Sequence, residues 1–156
     1  SEILLGSMIE VPTLMWQLDE LMQRVDFVSV GTNDLFQFMA ASDRSSSYLA
    51  NRFNALSRPF LRALREIVRA CERHNTPLQL CGELAGDTLS ALALFGVGYR
   101  SISMPPTSIG PIKEMVRAMD MAVVADTVNA AIDESIGGQT MTEVLRDLAD
   151  HQGIPL

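Results

Sequence analysis

Short aliphatic and β-branched runs alternate along the chain with segments in which apolar residues recur every three or four positions. The first run, Ile3 to Val11, closes on Pro12 and predicts a strand. Leu14, Met15, Leu18, Leu21, Met22 and Val25 then fall on one face at helical spacing, so a single helix is expected across them. A second strand is predicted over Phe27 to Val30, closed by Gly31-Thr32-Asn33-Asp34, with a short helix over Leu35 to Ala41. The polar stretch Ser42 to Ser47 reads as a loop.

Pro59 suits the first turn of the next helix, where a missing N–H costs nothing. Phe60, Leu61, Leu64, Ile67, Val68 and Cys71 line its apolar face. The third strand is Leu78 to Cys81. Asp87 is placed to cap a helix from Thr88 to Phe95, with Gly96 as its stop. A fourth strand is predicted over Arg100 to Met104, and Ser108 is expected to cap the helix carrying Ile112, Met115, Val116 and Met119. Two more helical patterns follow from Met121. The last opens on Thr140-Met141-Thr142-Glu143, the signature of a capping box, and ends near Gly153.

Four βα units in series predict an α/β fold with a parallel sheet. Such units form either a small open sheet or half of an eight-unit barrel. A closed barrel takes about 250 residues, so these 156 cannot complete one alone. The βα units span residues 1–120, and 121–156 read as a helical extension of the same domain. A half-barrel would leave strand edges free to pair with another chain. The chain opens without Met and enters an apolar run at once, with no basic segment before it. It therefore reads as part of a longer protein rather than as a signal peptide.

The net charge of −7 argues against non-specific nucleic-acid binding, which needs Lys and Arg to neutralise phosphates. A small anion stays possible where an Arg or a metal reverses the local field. No apolar run approaches the length of a membrane span. The two cysteines, Cys71 and Cys81, form no CxxC pair, which points to reduced thiols and a cytoplasmic setting.

Candidate chemistry gathers at the predicted strand ends, where α/β proteins bind ligands. Glu10 ends the first strand, Asn33 and Asp34 follow the second, and Cys81 ends the third. Arg44 lies on the loop expected to cover that rim. Glu10 and Asp34 are a hard-oxygen pair of the kind that holds Mg²⁺ with water and substrate phosphate, although acids near helix starts are also ordinary caps. Asn33 and Arg44 suit phosphate, Arg through its planar fork. Cys81, before Gly82, can act as acid, base or nucleophile, or be a small buried hydrophobe. Cys71, on an apolar helical face, reads as core. His74 and His151 lie away from strand ends and take no catalytic role.

Several blocks carry a more specific signal. They are Gly6-Ser7-Met8-Ile9-Glu10-Val11-Pro12, Phe27-Val28-Ser29-Val30-Gly31-Thr32-Asn33-Asp34-Leu35, Ser42-Asp43-Arg44 and Cys81-Gly82-Glu83-Leu84-Ala85-Gly86-Asp87. In this order they resemble the carboxyl-terminal domain of phosphoenolpyruvate-protein phosphotransferase, enzyme I of the phosphotransferase system. Ser103-Met104 and Thr107-Ser108-Ile109 look like that family's last strand and helix start. The tail ending Gly153-Ile154-Pro155-Leu156 is more similar to the nitrogen-related branch than to the sugar-transport branch.

The resemblance implies a phosphoenolpyruvate-binding (β/α)₈ barrel, of which this chain is the second half, in a dimeric enzyme. It implies transfer of the phosphoryl group of phosphoenolpyruvate to an enzyme histidine, release of pyruvate, and onward transfer to the phosphocarrier HPr or its nitrogen-branch relative. By motif, Glu10 and Asp34 match Mg²⁺ ligands, Asn33 and Arg44 match phosphate-binding residues, and Cys81 matches the general acid. The phosphorylated histidine and the arginines of the first four barrel strands have no counterpart here, so the chain alone is expected to be inactive and to bind substrate weakly. Ser45-Ser46-Ser47 departs from the family's usual acidic or Gly-containing segment. Pyruvate phosphate dikinases and phosphoenolpyruvate synthases share several blocks. The short stretch from Arg44 to Pro59, and Leu84-Ala85-Gly86 in place of His-Gly-Gly, favour enzyme I. A non-catalytic dimerisation module is the competing reading from a different class.

Overall fold

The structure is a computed structural model describing residues 3–41, 54–134 and 138–156. Strand β1 is Gly6–Ile9, shorter than the predicted run from Ile3 to Val11. At its start the Leu5 carbonyl accepts from the Asp26 N–H at 2.7 Å, and the Leu5 N–H donates to the Asp26 carboxylate at 2.7 Å. At its end Pro12 opens a 3₁₀ turn, Pro12–Trp16, which leads into α1, Leu18–Met22. The single helix predicted here is thus broken at Gln17, whose φ of −132° is not helical. The apolar face survives the break: Leu18 and Met22 are buried, and Leu14, Met15, Leu21 and Val25 pack against them.

Strand β2, Phe27–Gly31, runs directly into α2, Thr32–Met39. Thr32, Asn33 and Asp34 therefore form the first turn of a helix rather than the predicted closing turn. Helix α3, Arg58–His74, has Pro in its first turn and ends on Asn75 in the left-handed conformation. Strand β3 is Leu78–Cys81, as predicted. After a 3₁₀ turn, Glu83–Gly86, helix α4 spans Thr88–Val97, capped by Asp87. Gly96 does not stop it. Gly96 sits inside the helix against Val128, and the chain turns at Gly98, where φ is 125°.

The predicted fourth strand is reduced to one parallel bridge, Leu80 with Ile102. The Leu80 N–H donates to Ser101 O and the Ser103 N–H to Leu80 O, both at 2.9 Å. Pairing stops there because Met104 runs into Pro105 and Pro106, and Pro106 opens a 3₁₀ turn, Pro106–Ser108. Helix α5, Ile109–Ala118, begins without the side-chain cap expected from Ser108. Helix α6, Met121–Asp133, is capped by Asp120, and α7, Met141–Gln152, by the reciprocal Thr140–Glu143 box. Gly153 closes α7 in the left-handed conformation.

The strands pair in parallel in chain order, β1-β2-β3. Side chains alternate faces along a strand. On one face Ile9, Val28, Val30 and Leu80 are fully buried beneath the helices. On the other, Met8 is 47% and Phe27 41% exposed, beside Ser29, Gln79 and Cys81. Among the described residues, this sheet is covered on one face only.

The tail docks on α3 through an arginine stripe. Arg58 donates to Ala131 O at 2.7 Å and Gln139 O at 2.6 Å, and Arg62 donates to Ile132 O at 2.6 Å. Arg65, buried, bonds Asn129 and makes a two-pronged contact with Asp133. Apart from Gln139, which follows α6, these groups lie in the carboxyl-terminal turns of α6, where unpaired carbonyls and the helix dipole attract cations. The Arg65 guanidinium holds the Asp133 carboxyl below its ordinary value of 3.8. A carboxylate depressed in the folded state contributes stability above that range and loses it as pH falls. Arg65→Met keeps the aliphatic stem and removes the clamp. We expect it to lower the urea midpoint at pH 7 and to shrink the loss of stability below about pH 4, both read by circular dichroism.

Candidate functional site

Three strand ends meet on one rim. Glu10 follows β1 directly and is partly buried. Its Cβ and Oε2 both lie 3.1 Å from where a Cβ on Gly31 would stand, so this carboxylate lies over the end of β2. Gly31 in turn pairs with Cys81 of β3. A side chain at position 31 would crowd Glu10 and make it shift by a few tenths of an ångström.

Cys81 is held from three directions. Its sulfur accepts from the Ser29 hydroxyl at 3.3 Å and donates to Val30 O at 3.4 Å. Its carbonyl accepts from the Thr32 hydroxyl at 3.1 Å. Thr32 is buried, so this last bond ties the first turn of α2 to the end of β3 inside the core. Next to it Gly82 has φ of 131° and ψ of 167°, a region open in practice only to glycine. A Cβ at Gly82 would collide with Thr32 Oγ1 and approach Asn33 Oδ1 to 3.2 Å. Asn33 therefore leans over the turn after β3.

Asp34 follows Asn33 in the first turn of α2, where the helix dipole favours an anion. The sequence therefore reaches the same rim by a different route from the one predicted: through a helix start rather than a loop. Of the candidate residues, Glu10, Asn33 and Cys81 are brought together around Gly31 and Gly82, and Asp34 sits on the adjoining helix turn. Arg44 lies outside the described residues. Beside Asn33 a cavity of about 330 Å³ opens between α2 and the Glu83–Gly86 turn, lined by Thr32, Phe36, Glu83 and Asp87.

Glu10 and Asp34 offer hard carboxylate oxygens of the type Mg²⁺ takes. Among the described residues no three His, Cys, Asp or Glu side chains converge tightly enough to hold a metal by themselves. Asp87 is occupied otherwise, accepting from Ser90 N at 2.8 Å and Ser90 Oγ at 2.7 Å as the cap of α4.

The remaining polar candidates are structural. Cys71 is buried with its sulfur 3.8 Å from Met22 Sδ, and burial pushes its thiol up to about 11. His74 ends α3 and its Nε2 lies 3.0 Å from Asp19 Oδ1. Arg73, then His74, hold the Asp19 carboxyl below its ordinary value. His151 sits 2.7 Å from Asp147 O in the last turn of α7. Sequence reasoning overlooked two residues, Ser29 and Thr32. The signal for Ser29 was a hydroxyl in the otherwise apolar run Phe-Val-Ser-Val, since parallel strands usually read as continuous apolar runs.

A parallel βα series whose strand ends bring a carboxylate, an amide and a thiol to one rim defines the class as an α/β domain. Residues 1–121 match the model of the PEP-utilising enzymes, PEP-binding domain. The chain belongs to this family. It is 42% identical over 145 residues to the "Phosphoenolpyruvate-dependent phosphotransferase system" protein of Escherichia coli, covering 93% of this chain and 19% of that protein. It is 37% identical over 115 residues to a "Phosphoenolpyruvate-protein phosphotransferase" of Buchnera aphidicola, covering 74% of this chain and 20% of that one. A "Multiphosphoryl transfer protein" of Xanthomonas campestris is 35% identical over 131 residues, 84% of this chain and 16% of the relative. The chain thus spans about one fifth of the length of the curated relatives it matches. These relatives are transferases by name. Among the described residues no helix is long and apolar enough to cross a membrane.

Gly82→Ala must force an alanine to positive φ against Thr32. We expect a loss of about 1–3 kcal/mol, measured by urea unfolding, whereas an alanine at exposed, unconfined Gly110 costs far less.

Proposed function

We propose that this chain forms the carboxyl-terminal half of the phosphoenolpyruvate-binding barrel of an enzyme I-type phosphotransferase. The observation that carries this reading is the convergence of Glu10, Asn33 and Cys81 on one rim, from elements adjacent in the sheet. The open sheet face supports the barrel. Parallel sheets occur almost only with both faces covered, and in a closed barrel the inner face is filled by the other strands. The consecutive order β1-β2-β3 is also that of a barrel segment.

In this reading Asn33 and Arg44 grip the phosphoryl oxygens and hold the substrate over the rim. Glu10 and Asp34 hold Mg²⁺, which when bound supplies positive charge to the phosphoryl and enolate oxygens. Transfer of the phosphoryl group to a histidine elsewhere in the enzyme leaves the enolate of pyruvate. Cys81 gives its proton to carbon three of that enolate. The phosphoryl group passes on to HPr or a nitrogen-branch relative. The protein works in the cytoplasm as a homodimer. Self-association draws support from exposed apolar side chains at one end of the chain, Ile3, Leu4, Leu5 and Trp16, the last 81% exposed.

The test replaces the corresponding region of the E. coli relative with this chain and follows pyruvate release from phosphoenolpyruvate. The chimaera should turn over. Glu10→Gln should lower kcat/KM by about 10²–10³-fold, and Cys81→Ala should do likewise, each with an unchanged sedimentation profile. Wild-type rates in both variants would leave only the dimerisation module. For the isolated chain, titration calorimetry with Mg²⁺ should show phosphoenolpyruvate binding weaker than millimolar.

A further inference from the structure

From the contacts on the open sheet face we infer that Ser29 is a positioning residue for the Cys81 thiol, holding the sulfur toward that face and stabilising the thiolate formed when the proton leaves. The inference rests on the reading of Cys81 as proton donor. Ser29 and Gln79 form one cross-strand row, and Gly31 and Cys81 form the row two residues further along the strands. Both rows point to the uncovered face. The Ser29 hydroxyl reaches forward from the first row to the sulfur in the second, at 3.3 Å. The thiol proton is directed to Val30 O at 3.4 Å, on the same strand as Ser29. Among the described residues Sγ thus has one donor and one acceptor, both from β2.

The acceptor role of sulfur decides what Ser29 does. Hydrogen bonds to an ionised acceptor are about twice as strong as neutral ones. The Ser29 contact therefore strengthens as the S–H bond breaks. In the proton transfer, the S–H electron pair stays on sulfur. The proton forms a new C–H bond with the π pair of the enolate, and the enolate oxygen becomes the ketone oxygen of pyruvate. The negative charge that leaves the enolate arrives on sulfur, and Ser29 meets it there. Among the described residues, the ionisable groups after the strand ends around Cys81 are Glu10 after β1, Asp34 in α2 and Glu83 in the following 3₁₀ turn, all acidic, while Arg100 at the start of the segment beside β3 donates to Phe95 O and Tyr99 O. The acidic groups cannot donate to the thiolate, whereas the Ser29 hydroxyl already donates to its sulfur.

The experiment measures iodoacetamide alkylation of Cys81 at pH 8 in the full 156-residue chain, resolved by peptide mass spectrometry. Buried Cys71 reports on the fold, because it is alkylated only if the chain opens. Ser29→Thr and Ser29→Val share one shape and differ only in the hydroxyl, and both are favoured in strands. The Val variant should react about 3–10-fold more slowly than wild type. Its sulfur lacks the hydroxyl that meets the charge as the S–H bond breaks. The Thr variant should stay within about twofold of wild type, since it keeps the charge-assisted donor. Equal rates in Thr and Val chains, or a faster Val chain, overturn the role of Ser29. This outcome is separable from failure of the proposed function, which shows as full turnover of the Cys81→Ala chimaera whatever the alkylation rates.

Discussion

The bond from the Thr32 hydroxyl to the Cys81 carbonyl joins the end of one strand to the end of the next, at the point where both leave the sheet. Strand β2 becomes α2 without a connecting loop, so the first helical turn inherits the position of the strand. Strand β3 leaves through Gly82, whose positive φ lets the chain pass close beneath Thr32. The two exits are thereby locked in register. Asn33 stands over the turn after Cys81 because this lock fixes the helix start against the sulfur-bearing strand, with Asp34 next along the same helix turn. Glu10 joins them because Gly31 has no side chain to keep it away.

A one-sided parallel sheet places that lock in an unusual setting. The helices bury Ile9, Val28, Val30 and Leu80 on one face, and burial of such side chains contributes about 1.5–3 kcal/mol each. The opposite face carries Ser29, Gln79 and Cys81 with Met8 and Phe27, a mixture too polar for a core and too apolar for free solvent. Gln79 already donates to Ser103 at 3.1 Å across this face. Under the proposed barrel, further strands would close over this face.

The β3 boundaries, the α3 face, the Asp87 cap and the capping box of α7 were all legible in the sequence, because each is decided within a few residues. The errors arose where tertiary contacts decide. Gly96 reads as a helix stop, but its missing side chain is used to admit Val128 of α6. The segment Arg100 to Met104 reads as a strand, yet only Ile102 finds a partner across from Leu80. Gln17 breaks a helix whose apolar periodicity runs straight through it, since the buried face is served equally well by a 3₁₀ turn followed by a helical turn. At the rim, strand-end logic located Glu10, Asn33 and Cys81. It could not find Ser29 or Thr32, whose importance lies in what they touch across 52 and 49 residues of chain.

The arginine stripe shows how the tail serves this arrangement from outside. Arg58, Arg62 and Arg65 recur at the spacing of one helical stripe, and each reaches groups at the carboxyl end of α6 or just after it. Helix α6 in turn packs on α4 through Gly96, and α4 begins at Asp87, a few residues past Cys81. The chain after β3 is therefore gripped at both ends: by the Thr32 lock at the rim, and by the helices that the arginines hold against α3. A strained glycine turn persists only where the surrounding structure over-determines it. The tail extends that support to the Gly82 turn, which gives a helical extension remote from the rim a reason to be part of the same domain.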